Sequence, residues 1–372
     1  MSTDLFLTGD VMLGRGVDQI LEHPSKPGLH EDHADSAIIY VRWAEKVAGP
    51  LPRRTDPAYV WGDALPILNK LRPAVRIINL ETAITTSEDW CPKGINYRMH
   101  PDNVASLRAA QIDCCVLANN HVLDWGEEGL LETLASLRRS GIAAAGAGHD
   151  AAEASAPAAI PLANGGRILV FGIATPSSGV PRDWAAGADR PGINLLTDLT
   201  PQTATRLTEA AAAHRRPGDL LIASIHWGSN WGYDVPAEQR AFAHALIDGG
   251  FDLVHGHSSH HPKGIELYHD KLILYGCGDF INDYEGISSY EEFRGNLVLM
   301  YLPQIETATG RLLSLKMIPM RIVRFQLRRP SPADAEWLHR MLTRESRKFG
   351  TEVVLREDGS LMIDRGRTLA RA

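Results

Sequence analysis

The sequence has few cysteines and lacks any long run of basic residues. Its four cysteines, in 372 residues, show no C-x-x-C spacing. Cys114 and Cys115 are adjacent in an apolar stretch, where they are expected to pack as small hydrophobic residues rather than to form disulfides. No Lys/Arg-rich run occurs and the formal net charge is -7, which argues against a nucleic-acid partner. We therefore expect a reduced protein that binds no nucleic acid.

Signals for export or membrane insertion are also missing. Residues 1–4 run directly into the apolar residues 5–8, with neither a basic n-region nor an apolar h-region. No stretch reaches the roughly 18 consecutive apolar residues of a membrane helix. These absences predict a cytoplasmic protein without a membrane span.

Apolar runs of strand length alternate with amphipathic helical segments through most of the chain. The predicted strands cover residues 5–8, 75–80, 112–117, 142–144, 168–172, 219–225, 251–254 and 271–275, and the predicted helices cover 36–49, 63–71, 101–110, 127–140, 203–215 and 237–249. This alternation predicts an α/β fold with parallel strands. Beyond about residue 295, two further runs at 296–302 and 312–323 predict antiparallel strands, and a helix is expected over 333–347. We expect one domain over residues 1–372 with a β-rich C-terminal part.

Five of the predicted strands end in residue types that bind metal ions. The motifs are Gly9-Asp10, Asn79-Leu80-Glu81, Asn119-Asn120-His121, His226-Trp227-Gly228 and His255-Gly256-His257. Because parallel strands place their carboxyl ends at one edge of a sheet, these side chains are expected to converge. A mixture of Asp, Glu, Asn and His suits Mn²⁺, Fe, Zn²⁺ or Co²⁺. A bridging carboxylate would allow two such ions about 3.5–4 Å apart.

The ordered set of these motifs, extended by Asp124-Trp125-Gly126 and His260, resembles the CapA family. Its members are poly-γ-glutamate capsule synthesis proteins and their relatives, with a calcineurin-like metallophosphoesterase fold. The resemblance covers roughly residues 4–300. It implies a metallophosphatase-like four-layer α/β/β/α sandwich with a metal site at the carboxyl ends of the strands.

The same resemblance implies roles for individual residues. Asp10, Asn120, His226 and His257 would be metal ligands, and His121 would act on the substrate beside Asn120. Glu81 stands where phosphoesterases have the bridging carboxylate of a Gly-Asp-x-x-Asp motif, so we expect it to bind metal and expect phosphoesterase activity to be disfavoured. His255 is expected either to bind metal or to orient His257. His260 is favoured over His261 for proton transfer, and Asp124 is the expected partner of His121.

Aromatic and basic residues near these motifs are candidates for substrate binding. Trp227, Trp231 and Tyr233 would form an aromatic wall for a substrate side chain, or else pack in the core. Arg98 and Lys263 are candidates for holding a substrate carboxylate.

Three classes of function suit such a site. The first is hydrolysis of a phosphoester, a poly-γ-glutamyl bond or another amide by a dinuclear metal centre. The second is epimerisation, in which histidines exchange the proton beside a metal-held carboxylate. The third is a non-catalytic role in capsule-polymer synthesis. The chain is similar to the soluble branch of the family that epimerises peptides in lasso-peptide pathways without an organic cofactor.

That similarity leads us to expect metal-dependent epimerisation at the Cα of the C-terminal residue of a precursor peptide. His121 and His260 would be the acid/base pair. Two divalent ions would be the only cofactors and the peptide the partner, and the oligomeric state stays open.

Overall fold

Strands and helices alternate along most of the chain. The computed structural model describes residues 1–163 and 165–364. The strands in chain order are β1 Ser2–Val11, β2 Gly28–Glu31, β3 Ala34–Ser36, β4 Val75–Leu80, β5 Ala83–Ile84, β6 Arg98–Met99, β7 Cys114–Val116, β8 Ala143–Ala145, β9 Ala147–Gly148, β10 Ala158–Pro161, β11 Arg167–Ala174, β12 Gly192–Ile193, β13 Leu220–His226, β14 Leu253–His257, β15 Ile265–Tyr268, β16 Lys271–Leu274, β17 Asp279–Ile281, β18 Leu297–Glu306, β19 Leu312–Val323, β20 Gln326–Arg328, β21 Val353–Leu355 and β22 Leu361–Ile363. The α-helices are α1 Arg15–Asp18, α2 Ile38–Ala48, α3 Ala64–Leu71, α4 Ala105–Ala109, α5 Gly126–Arg139, α6 Ala151–Ser155, α7 Pro201–His214, α8 Ala237–Asp248 and α9 Pro332–Ser346.

Most of the strands belong to two sheets. The first has the order β21-β22-β19-β18-β1-β4-β7-β8, with β17 beside β1 and β20 beside β19. Within it β1, β4, β7 and β8 are parallel, whereas β18 is antiparallel to β1. The second sheet has the order β10-β11-β13-β14-β16-β15, and its four inner strands are parallel. The segment after residue 295 therefore extends the first sheet, as its antiparallel pattern predicts.

Both faces of each sheet are apolar, which is why the strands form inner layers. In β1, Leu5 packs against the second sheet while Phe6 packs against helices on the outer face. In β13, Ile222 packs toward the first sheet and Leu221 toward α7 and α8. Helices α2 to α5 cover the outer face of the first sheet. The predicted α/β/β/α order is confirmed.

The elements that the sequence pattern missed are short or lie at sheet edges. The alanine-rich residues 150–160, whose composition predicts a short helix and turn, form helix α6 and then strand β10, and β15 was not predicted at all. Residues 23–35, whose content of Pro, Gly and His predicts an extended loop, include the small hairpin of β2 and β3. The helix predicted over 101–110 begins with a 3-10 turn and continues as α4. Among the described helices, none combines the length and apolar character needed to cross a membrane.

An irregularity in β1 brings the two sheets' carboxyl ends together around one residue. The pairing of β1 with β4 shifts register between Thr8 and Asp10, which is the signature of a β-bulge that re-aims a side chain. On the other side β17 runs so close that a Cβ on Gly9 would lie 1.8 Å from the carbonyl oxygen of Gly278. Only glycine fits there, and Asp10 consequently lies opposite Asp279.

Candidate metal centre

Asp10 is the residue around which the potential metal ligands gather. Its carboxylate lies with His226 and His257 in one group of potential ligand atoms, and with His260 and Asp279 in a second. Within each group the ligand atoms lie no more than 4.8 Å apart, and all five residues are buried. A carboxylate that belongs to both groups is the arrangement in which one Asp can bridge two ions.

Three acidic side chains are buried together at this point. Asn79 donates from its Nδ2 to Asp10 at 2.7 Å and to Glu81 at 3.1 Å, which holds the two carboxylates side by side. Burial, followed by the charge of Asp279, raises the pKa of Asp10 to about 7. Burial and the charges of Asp10 and Asp279 raise the pKa of Glu81 well above its ordinary value. Buried carboxylates are stable together only when a proton or a cation compensates their charge.

A chain of hydrogen bonds fixes the tautomer of His257. His255 Nε2 lies 2.9 Å from the carbonyl oxygen of Thr8, which can only accept, so this nitrogen carries a hydrogen. His255 Nδ1 therefore accepts from the hydroxyl of Ser224 at 3.0 Å, and the Ser224 oxygen accepts from His257 Nε2 at 3.1 Å. Burial lowers the pKa of both histidines, that of His255 to about 4, so both rings are neutral. The lone pair of His257 is thus left on Nδ1.

His255 consequently has a different role from the metal ligand that its position in the sequence suggested. Both of its ring nitrogens are engaged, one with Thr8 in β1 and the other with Ser224 in β13. It links the two sheets and orients His257, which was the alternative role.

His226 presents its lone pair to the same point. Its Nε2 lies 3.0 Å from Asn120 Oδ1 and donates to it, which leaves the lone pair on Nδ1. This atom is 2.8 Å from His257 Nδ1, which in turn is 3.9 Å from Asp10 Oδ1. Two nitrogen lone pairs and a carboxylate oxygen therefore converge with no hydrogen between them, a donor set that fits a divalent cation. The amide oxygen of Asn120 has two lone pairs, so its contact with His226 does not remove it from the ligand set.

His260 belongs to the second ligand group and is hydrogen-bonded within it. Its Nδ1 is 2.9 Å from Asp279 Oδ1, and Asn282 donates to the other oxygen of Asp279 at 2.7 Å. Burial alone would lower the pKa of His260, but the charge of Asp279 and its hydrogen bond outweigh burial and raise it. The structure therefore places His260 among the potential metal ligands, whereas the sequence assigned it to proton transfer.

His121 forms a dyad with Asp124 at the edge of the centre. Its Nδ1 lies 2.7 Å from Asp124 Oδ2, and its Nε2 faces Glu81 at 3.8 Å. Lys93 pairs with the other oxygen of Asp124 at 2.9 Å. Burial, partly offset by the charge of Asp124, lowers the pKa of His121 to about 4. A neutral imidazole with Nδ1–H held by a carboxylate presents the Nε2 lone pair to the site, which is the geometry of a general base.

Two of the proposed substrate-binding residues lie elsewhere. Arg98 stacks on the Trp125 ring, 3.8 Å from its centroid, and donates to the carbonyl oxygen of Ser87 at 2.7 Å. Its guanidinium holds neighbouring loops together and is not available to a substrate carboxylate. Trp227 is buried in the core between β13 and α8, where its indole N–H donates to the Tyr275 carbonyl oxygen at 2.9 Å. It is a core residue because its side chain points to the helical face of the sheet.

The other three candidates follow the ends of β13 and β14, and one of them, Trp231, packs beside the second ligand group. The ring centroid of Trp231 is 5.3 Å from that of His260, and Tyr233 packs edge-on to His261 at 4.6 Å. Lys263 is buried, with its Nζ 3.2 Å from the carbonyl oxygen of Asp234. Burial lowers the pKa of this amine to about 8. Trp231 and Tyr233 are therefore half-buried aromatic residues, the first beside His260 and the second beside His261.

Asp279 is the main residue that sequence reasoning missed. Its signal was present, because Gly278-Asp279 follows an apolar strand as Gly9-Asp10 does. Ser224 and Lys93 were missed as well, since a serine within a strand and a lysine in a loop have no distinctive pattern.

Replacing Ser224 by Ala is expected to weaken metal binding about 10- to 100-fold, the usual effect of losing a group that orients a ligand. Without the hydroxyl, His257 Nε2 loses its acceptor, and the ring is free to place its hydrogen on Nδ1 instead. Calorimetric titration with Mn²⁺ measures the change. Ser229→Ala is the control, because Ser229 is exposed and its hydroxyl donates to the Trp231 carbonyl oxygen. Equal Mn²⁺ affinities for Ser224→Ala and the wild type would contradict the role of Ser224 in fixing the tautomer of His257.

Comparisons with known proteins show similarity over the region that contains the potential metal ligands. The family model described as "Bacterial capsule synthesis protein PGA_cap" matches residues 4–284. Two Mycobacterium tuberculosis proteins named "probable polyglutamine synthesis accessory protein" are 49% identical to this chain over 361 residues, covering 96% of it and 95% of each relative. The PGA biosynthesis protein CapA of Bacillus subtilis is 28% identical over 277 residues, covering 74% of this chain and 62% of its own.

Among solved structures, the chain is similar to the protein TT1561 of Thermus thermophilus. The match covers 84% of this chain and 97% of that one, with 9% sequence identity and a TM-score of 0.37. A TM-score of that size does not establish a common fold.

Proposed function

Because the chain belongs to the family of bacterial capsule synthesis proteins PGA_cap, we propose that it is a metal-dependent hydrolase of amide bonds in a glutamyl polymer. The observation that supports hydrolysis is the single dyad of His121 and Asp124 beside two ligand groups that share Asp10. The substrate class rests on the names of relatives, which refer to polyglutamine and PGA synthesis.

In this proposal Asp10, His226, His257, His260 and Asp279 would hold divalent ions, with Glu81 and Asn120 adjacent. When bound there, such ions would supply Lewis-acid polarisation of a carbonyl oxygen and a lowered pKa for bound water. His121 takes the proton of the attacking water on Nε2 and then gives it to the leaving amine. Asp124 keeps the imidazole hydrogen on Nδ1 and stabilises the imidazolium that forms between these two transfers.

Epimerisation by two histidines, the activity expected from the sequence, uses a second acid/base group on the opposite face of the substrate carbon. His260 was assigned that role, but its Nδ1 bonds to Asp279 within a ligand group. Because His260 is hydrogen-bonded to Asp279, only His121 remains for acid/base chemistry, and this supports hydrolysis over epimerisation.

The experiment that tests the proposal is incubation of the Mn²⁺-loaded protein with tetra-γ-glutamate in D₂O, followed by mass spectrometry and NMR. We expect shorter oligomers and free glutamate, with no deuterium at any Cα. Deuterium at a Cα of the intact oligomer would contradict the hydrolase proposal and support epimerisation. Intact oligomer without deuterium would favour a non-catalytic role in capsule synthesis.

A further inference from the structure

Two tyrosines span the space between His121 and His260. The Tyr97 ring contacts His121 edge-on with centroids 4.5 Å apart, and the Tyr284 ring contacts His260 edge-on at 5.3 Å. The two tyrosine hydroxyls are 3.1 Å apart. The pair therefore lies across the two sides of the centre, and no step of the proposed reaction uses it.

The hydrogen-bond partners of the pair leave one donor weakly satisfied. Tyr97 is buried, and its hydroxyl donates to the oxygen of Tyr284. The hydrogen of Tyr284 is directed at the sulfur of Met12, 3.6 Å away. A thioether is a weak acceptor, so a phenol O–H, which is a good donor, has a poor partner here. Taken over the whole residue, Tyr284 is partly exposed, whereas Tyr97 is buried.

The segment that carries Tyr284 is tied to the second ligand group by side-chain hydrogen bonds. Asn282 donates to Asp279, and Asp283 accepts two hydrogen bonds from the Arg15 guanidinium, at 2.8 Å and 2.6 Å. Gly16 N–H donates to Asp283 as well, at 2.8 Å. Three successive residues thus support a ligand, anchor the turn and present a hydroxyl, so the position of Tyr284 is fixed relative to Asp279.

From this geometry we infer that Tyr284 is a substrate-binding residue whose hydroxyl donates to an anionic oxygen of the ligand, a carboxylate or a phosphate. A ligand oxygen is a far better acceptor than the sulfur of Met12. The hydroxyl of Tyr284 would need little rearrangement to donate to it. Tyr97 is a positioning residue, because its own hydrogen bond orients and polarises the hydroxyl of Tyr284. The choice of a glutamyl polymer as the ligand rests on the proposed function, whereas the preference for an anionic oxygen does not.

The test is to measure KM for tetra-γ-glutamate by steady-state kinetics and, separately, Kd for inorganic phosphate by calorimetry, both on the full chain loaded with Mn²⁺. Tyr284→Phe is expected to weaken binding of both probes about 10- to 100-fold, the value of one hydrogen bond to a charged oxygen. Its Mn²⁺ affinity should equal that of the wild type. Tyr97→Phe should weaken binding less, because it acts through Tyr284.

Tyr40→Phe is the matched control. The Tyr40 ring stacks on the same Arg15 guanidinium, 3.6 Å from its carbon, but its hydroxyl donates to Glu31 and not to the centre. Unchanged KM and Kd values in Tyr284→Phe, or a loss of Mn²⁺ affinity in that variant, would overturn the inference, as would a wild type that binds neither probe. If the wild type binds phosphate through Tyr284 but leaves tetra-γ-glutamate intact, the hydrolase proposal fails and the inference holds. If the wild type cleaves tetra-γ-glutamate and Tyr284→Phe binds and cleaves it equally well, the hydrolase proposal holds and the inference about Tyr284 fails.

Discussion

Replacing Asp10 by Asn is expected to reduce Mn²⁺ affinity at least about 100-fold and hydrolysis at least about a thousandfold. Asp10 belongs to both ligand groups, so its loss removes a negatively charged ligand from each of them. Substitution of His226 or Asp279 would affect one group only and is expected to have a smaller effect. Metal content after dialysis, measured by mass spectrometry, reports the loss of Mn²⁺ binding, and the release of glutamate reports the loss of hydrolysis.

The control for this substitution lies on the same strand. Asp4 is exposed in β1, and Asp4→Asn should leave metal content and activity unchanged. Metal-free Asp10→Asn should unfold within roughly 5 °C of the metal-free wild type. The reason is that neutralising one of three buried carboxylates offsets the weakened hydrogen bonds to its oxygens. Wild-type metal content in Asp10→Asn would refute the idea that the two groups share this residue.

Replacing His121 by Gln is expected to lower kcat by roughly 10²- to 10⁴-fold while leaving metal content unchanged. Glutamine retains a polar side chain of similar reach but cannot take up and release a proton near neutral pH. His121 lies beside the ligand groups rather than within them, since its Nδ1 bonds to Asp124. Steady-state kinetics on tetra-γ-glutamate and metal analysis of the same sample separate the two effects.

A second variant tests the dyad as a unit. Asp124→Asn should also lower kcat, because an amide at this position no longer stabilises the imidazolium formed on His121. His149→Gln serves as the control, since His149 is an exposed residue that pairs with Glu153 on the surface. Loss of metal from His121→Gln would make His121 a ligand, and full activity of this variant would remove it from the reaction.

The layers of the fold were predictable because the chain repeats one simple unit. An apolar strand followed by an amphipathic helix must bury two faces of the strand and one of the helix, and residues 75–80 and 219–225 were placed almost as β4 and β13 have them. Edge strands were not predictable. Strand β10 contains three alanine or proline residues in four, and only its pairing with β11 makes it extended.

The centre was predictable in its location but not in the division of roles. Asp10, His226 and His257 follow from the rule that parallel strands end at a common edge. Asp279 does not, because only the pairing of β17 with β1 turns an ordinary Gly-Asp pair toward Asp10. The roles of His255 and His260 depend on which atom faces each ring nitrogen, and spacing in a sequence contains no such information.

The most direct measurement is anomalous diffraction at the manganese edge from crystals of the protein grown with Mn²⁺. We expect an anomalous peak at coordination distance, about 2.0–2.3 Å, from a carboxylate oxygen of Asp10, with His226 and His257 or His260 and Asp279 completing the ligands. No peak within reach of Asp10, or a peak held by other side chains, would contradict it.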